Sequence, residues 1–122
     1  MKKTLLTITI VTALLFQFGC AEEDRSLDQF AQCLTDKGVK LYGTYWCPNC
    51  EEQKKLFKDS FSKIEYIECD PKGENSQSLL CTQKGIDSIP TWEFADGSMM
   101  VGLQKLESLS EKTDCPLPES EL

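Results

Sequence analysis

Cys47-Pro48-Asn49-Cys50, placed where an apolar stretch gives way to a charged one, constrains this chain more than any other feature. Val39 to Tyr45 is rich in apolar and aromatic residues and reads as a strand. Pro48 stands where a helix takes its first position, and Glu51 to Phe61 continues as a helix. Cys47 therefore sits at a helix N-terminus. Unpaired amides and the positive end of the helix dipole favour a thiolate over a thiol there. A thiolate is the form that attacks disulfides. The spacing predicts a strand–turn–helix unit with an exposed, nucleophilic Cys47 at its junction and Cys50 one turn in and more buried.

The first nineteen residues read as an address rather than as structure. Met1-Lys2-Lys3 is a basic head, and Thr4 to Phe18 is apolar and uncharged. That run is shorter than the roughly 20 residues a membrane span needs, and it matches the core of a secretory signal. Cleavage after Gly19 would leave Cys20 at the new N-terminus, open to acylation as in a bacterial lipoprotein. Cleavage after Ala21 would give an ordinary secreted chain. Residues 20–25 then form a short linker, and residues 26–122 form one domain with an irregular tail from about 113. The expected location is the periplasm, with a lipid anchor at Cys20.

Removing residues 1–19 from 122 leaves 103, enough for one domain with one modest core. All 20 acidic residues lie in that part. Of the 13 basic residues Lys2 and Lys3 are lost, so eleven remain and the formal charge is −9. No basic stripe is present, which argues against nucleic acid as a partner. Seven cysteines in an exported chain of this size point to an oxidising compartment. With Cys20 lipidated and Cys47 and Cys50 as the redox pair, four cysteines remain and allow three connectivities. The twelve-residue spacing favours Cys69–Cys81, leaving Cys33–Cys115 to tie the first helix to the tail. The alternative for Cys33 is a small buried apolar residue.

Ser26 to Lys37 carries Leu27, Phe30, Ala31 and Leu34 at helical spacing and stops at Gly38. In the helix after the cysteine pair, Leu56, Phe57, Ser60 and Phe61 mark the buried side, and Glu51 faces Lys55 on the exposed one. Ile64 to Cys69 is a second strand, parallel to the first through a right-handed crossover. After the loop 70–75 come a short helix, 76–84, and two strands, 91–94 and 99–101, around the Asp96-Gly97 turn. A last helix, 103–112, turns Leu106 and Leu109 inward. The expected fold class is α/β: a central mixed sheet, parallel βαβ plus antiparallel hairpin, with helices on both faces.

Trp46-Cys47-Pro48-Asn49-Cys50 after a strand, followed some forty residues later by Ile89-Pro90-Thr91, resembles the thioredoxin superfamily. The resemblance implies a cis Ile89-Pro90 bond beside the cysteine pair. It makes Cys47 the nucleophile and Cys50 the resolving thiol. Trp46, Ile89 and Pro90 become substrate-binding residues, with Ile89 offering backbone hydrogen bonds. Leu41-Tyr42-Gly43-Thr44-Tyr45-Trp46-Cys47, Glu52-Gln53-Lys54, Tyr66 to Pro71 and Pro90-Thr91-Trp92-Glu93 look closer still to one branch of it. That branch is the thioredoxin-like domain attached to bacterial and plant homologues of vitamin K epoxide reductase. The likeness implies protein thiols and disulfides as substrates, and a separate quinone-linked membrane oxidoreductase of that type as partner. It also supports pairing Cys69 with Cys81. Thioredoxins proper carry a buried aspartate where Leu41 stands here, and this chain has no histidine. A base would then be water, the substrate or a nearby acid such as Glu51. No cofactor is implied. The compartment and the family favour forming or isomerising disulfides over reducing them.

Two rival readings compete. A zinc site could combine Cys47 and Cys50 with Cys69 and Cys81. Structural zinc usually takes two close pairs, however, and eleven residues separate the second two. A binding module could keep the Cys47–Cys50 bridge as structure alone. Met99 and Met100 fail as joint copper ligands, because neighbours on a strand point to opposite faces.

Overall fold

The computed structural model describes residues 25–122. The leader, Cys20 and the linker up to residue 24 lie outside the described residues. The chain runs α1 (Arg25–Asp36), β1 (Lys40–Gly43), α2 (Pro48–Leu56), a 3-10 segment (Lys58–Lys63), β2 (Glu65–Glu68), α3 (Ser78–Gln83), β3 (Thr91–Glu93), β4 (Met99–Val101) and α4 (Leu106–Thr113). A short 3-10 turn, Glu119–Glu121, lies in the tail.

The four strands form one sheet in the order β2-β1-β3-β4. β1 and β2 are parallel, with Tyr42 opposite Ile67 and Gly43 opposite Glu68. β3 runs antiparallel to β1, with Leu41 opposite Trp92 and Tyr42 opposite Thr91. The β3–β4 hairpin closes at Gly97, whose φ of +80° the turn requires.

Strand alternation sorts the core into two layers. Leu41 and Trp92 face one way and meet Phe30, Leu34, Phe57, Leu106 and Leu109, so α1, the end of α2 and α4 share that face. Tyr42 and Ile67 face the other way and meet Cys81, Leu80 and Ile86 of the α3 region. The architecture is the expected mixed α/β sheet with helices on both faces.

The helix after the cysteine pair is shorter than its sequence suggests. Lys58 takes φ +52°, a left-handed conformation that stops α2, and a 3-10 segment follows. The change of helix type rotates the side chains. Phe57 and Ser60 are buried, Phe61 is partly buried, and Leu56 is 39% exposed rather than inward. On the outer surface Glu51 pairs with Lys54 at 3.1 Å and Glu52 with Lys55 at 2.8 Å, in place of Glu51 with Lys55.

Candidate functional site

The site begins where β1 ends. Cys47 is extended (φ −78°, ψ 119°) and caps α2, with Pro48 in the first turn. Its sulfur accepts a hydrogen bond from the Cys50 amide at 3.2 Å. A free amide at a helix start needs an acceptor, and here the Cys47 sulfur supplies it. Cys47 is not the exposed residue its position suggests. It retains 6% of its surface, and Cys50 retains none. Tyr45 and Trp46 stand out instead, 51% and 59% exposed, and form a rim beside it. Of the two sulfurs Cys47 is the one a substrate can reach.

Trp46 is fixed although exposed. Its indole N–H donates to Asp70 Oδ2 at 2.7 Å. The amide of Lys72 and then that indole hold the Asp70 carboxyl below its ordinary range. Cys69, next to Asp70, is bonded to Cys81 across 12 residues, and Cys33 is bonded to Cys115 across 82. A sulfur bonded to another sulfur does not ligate zinc as a thiolate. Cys69 and Cys81 therefore cannot complete a metal site with Cys47 and Cys50, which are free.

The Ile89-Pro90 bond is cis. Pro90 is buried and Ile89 half-buried. The β1–β3 register places Pro90 one step beyond the Tyr42–Thr91 pair, level with Gly43. Gly43 in turn lies against the dithiol: a methyl there would come 3.0 Å from Cys50 Sγ. The cysteine turn and the proline turn thus meet at one end of the sheet. Gln53, one turn after Cys50, binds them together. Its Oε1 accepts from Trp92 Nε1 at 3.1 Å and from the Gln104 amide at 2.8 Å, and its Nε2 donates to the Gln104 carbonyl at 3.0 Å. The Gly102 amide, two residues earlier, donates to the Pro90 carbonyl at 2.7 Å. Gln53 belongs to the Glu52-Gln53-Lys54 segment of the family likeness, but nothing local in the sequence assigns it this role. Its only signal is an uncharged amide in a run of charged residues.

Cys50 differs chemically from its partner. Burial, then its hydrogen bond to Cys47, pushes its thiol up to about 12, against the backbone of Thr44 and the charge of Lys54. An unfolded chain would ionise that thiol near the ordinary 9.0. Between those two values the folded reduced form holds a proton that the unfolded form has released. Stability therefore falls as pH rises through that window. The reduced form should lose urea resistance between pH 9 and 11 faster than the form with Cys47 and Cys50 oxidised, which has no such proton. Parallel loss in both forms would refute the assignment.

Sheet order, a dithiol at the start of α2 and a cis-proline turn beside it define a thioredoxin-like domain. No family model matches the chain. Over 94 residues, 74% of its length, it is 32% identical to the thiol-disulfide oxidoreductase LTO1 of Arabidopsis thaliana. The match spans 25% of LTO1, so the chain covers about a quarter of that curated relative. Among solved structures, thioredoxin O2 from Arabidopsis thaliana in the oxidized state superposes with a TM-score of 0.44 and 20% identity, over 71% of this chain and 88% of that one. A chain from a structure of the thiol resolving mechanism in yeast mitochondrial 1-Cys peroxiredoxin via glutathione/thioredoxin systems gives 0.45 and 13%, over 62% and 74%.

Proposed function

We propose that this protein is an exported thiol–disulfide oxidoreductase acting on protein thiols and disulfides. One observation carries the proposal. Four of the six described cysteines are closed into two disulfides, while Cys47 and Cys50 remain free together at a helix start. A pair kept for structure alone would gain by being closed like the others.

In the disulfide-forming direction Cys47 and Cys50 begin bonded. A substrate thiolate attacks Cys47 Sγ, the Cys47–Cys50 bond breaks, and the electron pair leaves on Cys50. A second substrate thiolate then attacks its own partner sulfur and releases Cys47. The reduced pair hands two electrons to a membrane oxidoreductase of the vitamin K epoxide reductase type. The abundance of disulfides supports that direction. Among the described residues no helix is long and apolar enough to cross a membrane. Attachment through an acylated Cys20 would hold the domain near such a partner, and mass spectrometry of the mature N-terminus reads it directly.

Equilibration of the dithiol with glutathione tests the direction. The expected potential lies nearer the roughly −120 mV of a strong oxidant than the roughly −270 mV of thioredoxin. A value at the thioredoxin end would make the protein a reductase.

A further inference from the structure

Cys50 must lose a proton before it can resolve a disulfide on Cys47, and its surroundings oppose that loss. Leu41, fully buried among apolar side chains, offers no acceptor. Glu51, the acid nearest in sequence, points outward and pairs with Lys54. A different carboxylate is in place. Glu68 closes β2 directly across the ladder from Gly43 and is 5% exposed. Its Oε1 accepts from the Asp70 amide at 2.9 Å, and its Oε2 accepts from the Tyr66 hydroxyl at 3.0 Å. Gly43 locates that pair relative to the sulfur. A methyl on Gly43 would lie 3.0 Å from Cys50 Sγ and 3.3 Å from the Tyr66 hydroxyl oxygen. Thiol, phenol and carboxylate therefore gather around one glycine that has no side chain to part them. Burial, then the bond to Glu68, holds the Tyr66 phenol far above its ordinary range. Tyr66 is accordingly a neutral hydroxyl, able to pass a proton but not to keep a charge.

We infer that Glu68 accepts the Cys50 proton by way of the Tyr66 hydroxyl during disulfide exchange, an assignment that rests on the function proposed above. The Cys50 S–H proton moves to the Tyr66 oxygen as the Tyr66 proton moves to Glu68 Oε2. A thiolate and a carboxylic acid replace a thiol and a carboxylate, and Tyr66 ends unchanged. The Cys50 thiolate then attacks Cys47 Sγ in the mixed disulfide, the bond to the substrate breaks, and the substrate sulfur departs with the electron pair. The other charged groups facing this cluster come from α2. The Lys54 ammonium lies 4.4 Å from the Tyr66 ring centre and attracts the Cys50 thiolate, and Glu51 opposes a negative charge on Tyr66.

Ellman's reagent separates the two steps in the reduced full chain. The first thionitrobenzoate leaves when Cys47 attacks, and the second when Cys50 resolves. Glu68→Gln should slow the second release at pH 7 by on the order of 10²-fold and leave the first unchanged. The gap should close as pH rises and hydroxide replaces the carboxylate. Tyr66→Phe should do the same, and it carries the test if Glu68→Gln does not fold. A second release as fast as wild type in the folded variants overturns the inference. A faster one shows Glu68 to be only a charge opposing the thiolate. A wild-type chain with no second release defeats the exchange function itself, and this assignment with it.

Discussion

Cys47→Ser is expected to reduce disulfide exchange to the uncatalysed rate, a loss of at least about a thousandfold, with the fold intact. The Cys47 sulfur is the one the surface reaches, and a serine oxygen neither forms a mixed disulfide nor accepts two electrons. The fold should survive, because serine can still accept the Cys50 amide at the helix start, as serine does at many helix N-termini. Cys50→Ser should fail differently. Cys47 still attacks, no second thiol resolves the product, and the protein accumulates as a mixed disulfide visible on a non-reducing gel. Oxidative refolding of a reduced substrate protein measures the first effect. Equal activity of Cys47→Ser and wild type would leave a binding module with an incidental cysteine pair.

The other large effect concerns stability. Replacing both Cys33 and Cys115 by alanine should cost about 4–5 kcal/mol, because their bridge closes a loop of 82 residues in the unfolded chain. Removing Cys69 and Cys81 opens a loop of only 12 and should cost about 3 kcal/mol. For a domain of this size the first loss lowers Tm by roughly 20 °C. The longer bridge also anchors the tail: Cys115 is fully buried beside Leu106 and Leu109 and joins α1 to the segment after α4. Urea titration of both double variants orders the costs. A smaller loss for the longer loop would mean that chain entropy is not the source.

The sequence was most informative where the physics is local. Capping of α2 by Cys47, Pro48 in the first turn and the Asp96-Gly97 hairpin each depend on residues within one turn of the chain. The core face of α1 was equally legible, because Leu27, Phe30, Ala31 and Leu34 repeat within an unbroken helix and all are buried. The pattern misled at Leu56, because periodicity extrapolates only while the helix continues, and Lys58 ends it.

What no window of sequence contains is the surroundings of the dithiol. Glu68 looks like the outward residue of an edge strand. It is buried because the parallel register sets it opposite Gly43 and because the loop at Gly73 packs against its side chain. Gln53 sits among charged neighbours on α2, yet it joins that helix to Trp92 and Gln104, far along the chain. Cys47 reads as exposed by its place at a helix start and is nearly covered once the sheet ends close around it. The chain alone determined which sulfurs stand at the helix mouth, since backbone hydrogen bonding over a few residues decides that. Tertiary packing alone decided which of them solvent touches and which carboxylate lies near the other, since burial and proton affinity are set by segments distant in sequence.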